Sequence, residues 1–331
     1  MKKFFFLLLL AVGSVYAQAD VVKFTAKIAN RNSDTIMILG PRKFKKVIPI
    51  DKNGLFTASF SVTAGPHSFS DGTEQTRIYL KNGYDLRLDM DAKMFDESIK
   101  YSGVGMGENN FLAQKMLIDE QFEESSAAIK DQAAYMAALD KKTAQLETLM
   151  ASLSKDEDFK TLAGMMLQGE KQQQASGFTK NLKVASLIGK ASPGFDYENH
   201  KGGKTKLSDL KGKYVYIDTW ATWCGPCVAE IPHLKRVEQK YHGRKIEFVS
   251  ISIDEKKDYE KWKKMVVSKE LGGVQLFADN AWASQFAVDY SIDSIPRFIL
   301  IGPDGNVIDA NAKRPSDPEL IKQLDVLLAK K

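Results

Sequence analysis

The sequence predicts a small antiparallel β domain, a helical segment and a C-terminal mixed α/β domain. Three observations lead there. The 331 residues exceed what one hydrophobic core usually spans. Up to about Tyr101 the apolar residues alternate with polar ones between turn-forming clusters. Beyond Glu108 the period becomes helical, and from about Leu187 apolar strand runs alternate with helix-forming stretches. The expected divisions are 18–105 for the β domain, 106–184 for the helical connection and 185–331 for the α/β domain.

The first residues read as an export signal over 1–17. Lys2 and Lys3 precede a short apolar run from Phe4 to Val12, and small residues follow at Ala17 and Ala19. Cleavage is expected near Ala17, after it or after Ala19. The run is short for a bilayer span, and no Cys lies near the boundary to carry a lipid, so the expected product is a periplasmic protein and not a lipoprotein. Net charge is +5. The excess is spread along the chain without a basic stripe interleaved with aromatics, so no nucleic-acid partner is expected.

The β domain is read from Val22–Ile28, Lys46–Ile50, Phe56–Phe60 and Tyr84–Met90, all alternating. The breaks at Asn32-Ser33-Asp34, Asp51–Gly54, Gly65-Pro66, Asp71-Gly72 and Asn82-Gly83 carry turn chemistry. A small sandwich or barrel is implied. Gly103-Val104-Gly105-Met106-Gly107 lacks the spacing of a dinucleotide loop and reads as a flexible connection. Helices are expected from Glu108 to about Lys155 and from Asp156 to about Lys171, where good helix formers dominate.

In the last domain, Tyr214–Asp218 and Ile246–Ile253 read as buried strands. Cys227–Tyr241, Tyr259–Lys269 and Asp317–Leu328 read as helices. Gly302-Pro303-Asp304-Gly305 turns between Phe298–Ile301 and Val307-Ile308. This order implies a mixed sheet with helices on both faces.

Only two cysteines exist, Cys224 and Cys227. Across so short a loop a bridge restrains the unfolded chain least, which makes stability a poor reason for the pair. Zinc would need two further ligands, and none of His67, His200, His233 and His242 has the spacing to supply them. No metal site and no cofactor are expected. A redox pair is the reading that remains, beside a local staple. Placed between a strand and a helix, Cys224 meets the free N–H groups and positive dipole end of the helix, which favour a thiolate. Pro226 suits a first helical turn. The i, i+3 spacing brings both sulfurs to one face. Cys224 is then the exposed attacking sulfur, Cys227 the resolving one, and Gly225 leaves room for a client backbone.

Trp223-Cys224-Gly225-Pro226-Cys227 resembles the thioredoxin active site, over about Ala185 to Lys331. The resemblance implies that Asp218 is the buried acid serving the resolving thiol. It also implies that Trp220 and Trp223 flank the strand end, that Pro232 kinks the helix, and that Ile295-Pro296 is the cis-proline segment pairing with client backbone. Cys227-Val228-Ala229-Glu230-Ile231-Pro232 resembles the exported TlpA/ResA-like branch. So do an entry hairpin at Gly189–Phe195 and an insert at Asp254–Leu276. A preceding β domain resembles an arrangement common in Bacteroidetes. Glu230 is read as a proton relay or a solvent-facing residue, and His233 as a surface residue. Ser250 stands where thioredoxins often pair a Lys with the acid, which should let Asp218 titrate high. Arg297 replaces the usual Thr and is either a charge tuning the dithiol or a solvated surface residue.

The resemblance implies a protein-disulfide oxidoreductase, foremost a reductase of disulfides in exported clients, with apocytochrome c among them, fed by a membrane thiol electron donor. A disulfide oxidase or isomerase is the alternative within enzymes. The alternative outside them is a partner-binding protein whose contact is redox-tuned. Oligomeric state is not legible, nor is a task for the β domain.

Overall fold

The computed structural model describes residues 21–329; the expected signal segment lies outside them. The chain divides into two compact units, residues 1–175 and 176–331.

In the first unit the strands are β1 (Val22–Ala29), β2 (Thr35–Leu39), β3 (Lys45–Pro49), β4 (Phe56–Phe60), β5 (Gly65–Ser70), β6 (Gln75–Leu80) and β7 (Asp85–Asp91). A short α1 (Phe95–Ser98) precedes β8 (Lys100–Val104), and α2 (Met106–Ser126), α3 (Gln132–Leu153) and α4 (Glu157–Ala185) follow, the last continuing past residue 175 into the second unit. Two four-stranded sheets form, ordered β4-β1-β7-β8 and β3-β2-β5-β6. All pairs are antiparallel except β1 with β7, which run parallel. Period-two alternation buries Val22, Phe24, Ala26 and Ile28 from one face of β1. They meet Phe56, Phe69, Ile78 and Leu88 in one core, which also takes in Phe111 of α2, Leu146 of α3 and Phe159 of α4. The helices therefore complete the core of this unit.

Two adjacent asparagines tie α2 to the sheets. The Asn109 side chain accepts from Tyr79 N–H (2.8 Å) and donates to Tyr79 C=O (2.9 Å). Asn110 does the same at Tyr101, at 2.8 and 2.9 Å. Each amide stands in for a further strand on an edge, at β6 and at β8, whose backbone groups would otherwise lack partners. The glycines before them form a close-packed junction where a flexible connection was expected. Gly105 has φ +97°, and a Cβ there would lie 2.2 Å from the Tyr84 ring. α4 runs to Ala185, well past the expected end near Lys171.

The second unit contains β9 (Asp196–Asn199), β10 (Lys204–Lys206), β11 (Tyr214–Trp220), α5 (Gly225–Lys240), β12 (Ile246–Ser252) and α6 (Tyr259–Ser268). It continues with β13 (Val274–Phe277), α7 (Gln285–Asp289), β14 (Arg297–Ile301), β15 (Val307–Asp309) and α8 (Pro318–Ala329). The sheet order is β10-β9-β13-β12-β11-β14-β15. β11, β12 and β13 run parallel and β14 returns antiparallel to β11. Both faces of β11 are covered: Val215 and Ile217 lie in one core with Trp262 and Ile299, Tyr216 in another with Leu234, Phe298 and Leu320. The segment expected as an entry hairpin makes single bridges instead, Ile188 to Val307 and Ala191 to Asn306. The hairpin itself lies next in the chain, at β9 and β10.

Candidate active site

The dithiol sits where β11 gives way to α5. The strand ends at Trp220, and the turn Ala221-Thr222-Trp223 is clamped from the neighbouring strand end. Buried Asp254, two residues past β12, accepts from Thr222 N–H at 3.1 and 3.0 Å, from Thr222 Oγ1 at 2.8 Å and from Ser252 Oγ at 2.7 Å. Ile253 N–H adds a bond to Trp220 C=O at 2.9 Å. A carboxylate with this many donors has a fixed orientation, so the turn leading into the helix is held.

Cys224 is the N-cap of α5, with φ −82° and ψ 98°, and its Sγ accepts from the Cys227 N–H at 3.2 Å. The sulfur thus occupies the place of a capping oxygen at the positive end of the helix. Pro226 falls in the first turn and spends no N–H there. Cys224 and Cys227 are joined as a disulfide, with Cα atoms 5.3 Å apart. Cys224 is less open than expected, 5% exposed, and Cys227 is 2% exposed. The carbonyl of Ile295 lies 3.8 Å from Cys224 Sγ, and the Ile295-Pro296 bond is cis. Trp223 is half exposed beside them, its ring 6.3 Å from that of Trp282. The structure therefore brings Trp223, Cys224, Gly225, Pro226, Cys227, Ile295 and Pro296 to one place.

Asp218 lies on β11 in register with Ser250 of β12 and Phe298 of β14. It is buried, and its Oδ1 has no hydrogen-bond partner among the described residues. Burial, with the Glu230 and Glu238 charges added, pushes its carboxyl up to about 8. Ser250 stands opposite it where thioredoxins often carry a Lys, as the sequence reading placed it. Glu230 is buried, so it does not face solvent. One oxygen accepts from Ser316 N–H (3.0 Å) and the other from Ser316 Oγ (2.7 Å). Arg297 is not a freely solvated residue either. It is half-buried and donates to Asn311 Oδ1 at 2.6 Å, and burial pushes its guanidinium below the ordinary value. His233 meets only Arg236 on the outer face of α5, at 2.8 Å.

Asp254, Ser316, Trp282 and Glu238 did not emerge from the sequence reading. Glu238 carried a readable signal, since it continues the buried stripe Cys227, Ile231, Leu234 at helical spacing. Asp254 directly follows an apolar strand that ends beside the dithiol. The other two are brought in by distant turns. Three roomier hollows, about 550 and 520 Å³ in the first unit and about 250 Å³ in the second, are lined by none of these residues. Among the described residues no three His, Cys, Asp or Glu side chains converge to hold a metal, and no helix is long and apolar enough to cross a membrane.

A central sheet flanked by helices, a Cys-x-x-Cys pair opening a helix directly after β11 and a cis-proline against the sulfur define a thioredoxin-like thiol–disulfide protein. Residues 188–310 match the AhpC/TSA family. The thiol-disulfide oxidoreductase ResA of Bacillus thuringiensis subsp. konkukian is 32% identical over 139 residues, which cover 40% of this chain and 72% of that protein. ResA of Bacillus subtilis is 31% identical over 122 residues, 36% of this chain and 64% of that one. Among solved structures, a thiol-disulfide oxidoreductase from Bacteroides fragilis is 28% identical, with 41% of this chain and 99% of that chain covered and a TM-score of 0.37. The chain belongs to the ResA family of thiol–disulfide oxidoreductases, a TlpA/ResA-like enzyme acting on protein disulfides.

Proposed function

We propose that the protein is an exported, periplasmic reductase of disulfides in other exported proteins, with apocytochrome c among its clients. The observation that carries this reading is Cys224 Sγ capping α5 while facing the cis Ile295-Pro296 segment. In the reduced enzyme the same helix end favours the Cys224 thiolate. That thiolate attacks one sulfur of the client disulfide, forming a mixed disulfide and releasing the other client sulfur as thiolate. Cys227 gives its proton to the Asp218 carboxylate and attacks Cys224 Sγ. The Cys224–Cys227 disulfide closes and the client leaves as a dithiol. Two electrons from a membrane thiol donor reopen the pair. Trp223, Gly225, Pro226 and the Ile295-Pro296 backbone form the surface against which a client strand lies. Glu230 acts through its charge on Asp218. The amino-terminal Lys2–Ala19 pattern supports export, with cleavage near Ala17 and no lipid anchor.

The test is covalent capture. In Cys227→Ser the mixed disulfide has no resolving thiol. The purified mature variant, reduced and mixed with a disulfide-closed apocytochrome c, is expected to form a dithiothreitol-sensitive adduct, while Cys224→Ser forms none. An equal yield from both variants refutes the assignment of attacking and resolving sulfurs. A Cys224–Cys227 potential near about −120 mV would make the protein a disulfide donor instead.

A further inference from the structure

Beside Asp218 a narrow cavity of about 10 Å³ is lined by residues of β11, α5, β12 and the turn into β13. Its lining includes Asp218, Trp220, Glu238, Ser250, Gly272 and Gln275. That is about the room one water molecule needs. Three of the lining side chains carry buried polar atoms without a partner among the described residues: Asp218 Oδ1, Gln275 Oε1 and Trp220 Nε1. The Gln275 amide is oriented, because its Nε2 donates to Gly272 C=O at 2.7 Å. The lining thus offers two acceptors and one donor, the set that one water satisfies with both hydrogens and one lone pair. Leaving all three unmet would cost several kcal/mol, roughly 1–3 for each.

The turn into β13 is shaped around a carboxylate. A Cβ at Gly272 would stand 2.3 Å from Glu238 Oε2. One at Gly273 would stand 3.2 Å from Glu238 Oε1 and 2.4 Å from Phe248 C=O. The paired glycines let backbone close over Glu238 and keep it in the cavity wall.

We propose that this cavity is a one-water site through which the proton taken up by Asp218 passes to Glu238, which is the solvent-side end of the route. The inference rests on the reading of Asp218 as the acceptor of the Cys227 proton. In each turnover the Cys227 thiol proton goes to Asp218, the water receives it while giving one of its own to the Glu238 carboxylate, and Glu238 releases that proton to bulk water. No electrons move in these steps.

The charges around Glu238 fit the task. From its own helix Lys235 pulls its carboxyl down, and from β12 Glu247 pushes it up; burial is the larger effect and takes it to about 7. The Glu230 and Glu238 charges of α5 act on Asp218, and the one cation lining the cavity among the described residues is Lys235. β13 contributes the neutral Gln275. The two acids thereby hold a proton about equally well, which is what a relay needs. Lys235 is drawn outward to Lys269 C=O (3.1 Å) and Glu270 (3.4 Å), so it does not neutralise the site.

The experiment uses the reduced mature protein and 5,5′-dithiobis(2-nitrobenzoate). Release of the first nitrothiolate reports attack by Cys224, and release of the second reports closure by Cys227. Glu238→Gln is expected to leave the first release unchanged and to slow the second about tenfold near pH 7, a modest share of a general-base effect. Gly272→Ala, which displaces the same carboxylate, is expected to do likewise. In an Asp218→Asn background Glu238→Gln should add nothing. A second release with wild-type rate and pH profile in Glu238→Gln, or an equal slowing in the Asp218→Asn background, overturns the route. If Asp218→Asn itself closes at the wild-type rate, the reading of Asp218 falls, and the inference with it.

Discussion

Replacing Asp218 by Asn should stabilise the oxidised protein, and more so as pH rises. The unfolded carboxyl titrates near 3.8 and the folded one near about 8. Between those values the native state holds one proton more than the unfolded chain, so stability falls with pH, by about 1.4 kcal/mol per unit. The penalty is absent below the unfolded value and complete above the folded one. At pH 7 it spans roughly three units, or ~4 kcal/mol. Asn has the same shape and no charge, so Asp218→Asn removes the penalty; the cost of its own buried amide does not vary with pH. All four tryptophans (Trp220, Trp223, Trp262 and Trp282) lie in the second unit, so fluorescence during urea unfolding reads that unit. The gain from Asp218→Asn is expected to be ~1.6 kcal/mol at pH 5, ~4 kcal/mol at pH 7 and at its plateau by pH 9. A gain that is the same at all three pH values would refute the buried-charge reasoning, whatever its size.

Two further changes test the frame around the site and the fold of the first unit. Asp254→Asn leaves a single acceptor oxygen for the donors of Thr222 and Ser252 and is expected to cost roughly 1–3 kcal/mol, with faster hydrogen exchange at the Thr222 amide; unchanged exchange there would mean the clamp holds nothing. Asn109→Ala strands the buried N–H and C=O of Tyr79, and is expected to lower the stability of the first unit by roughly 2–4 kcal/mol. The loss should appear in far-ultraviolet circular dichroism, with the fluorescence transition unmoved, and a shift of both transitions together would contradict it.

The alternating strands of the first unit were readable because one face of each meets the core and the other meets water, as in β1. The dithiol was readable because Trp223–Cys227 carries its own local chemistry, with the N-cap role of Cys224 and the placement of Pro226 following from a helix that starts there. β9 and β13 escaped because they are four residues long and owe their place to partners far along the chain, Asp196–Lys206 pairing locally and then with Leu276 and Phe277. The Gly103–Gly107 stretch was misjudged for a related reason. Glycine runs read as flexible when the atoms they admit, here the Tyr84 ring and Leu153 C=O, lie outside the local sequence.

Four acids surround the dithiol and differ in what answers them. Asp254 meets a backbone N–H and two hydroxyls, and Glu230 meets both donors of Ser316, so each is fixed in place and positions a neighbour. Asp218 and Glu238 have no such donors among the described residues; burial outweighs the pull of Lys235 on Glu238, and both are pushed upward into the neutral range. Groups of the second kind are suited to exchanging protons near ordinary pH. The donors that sort the two kinds come from Thr222, Ser252 and Ser316, and no motif spans them. A carboxylate's part in this site is therefore decided by the distribution of hydrogen-bond donors, and a serine supplied or withheld by a distant turn sets it as firmly as the acid itself.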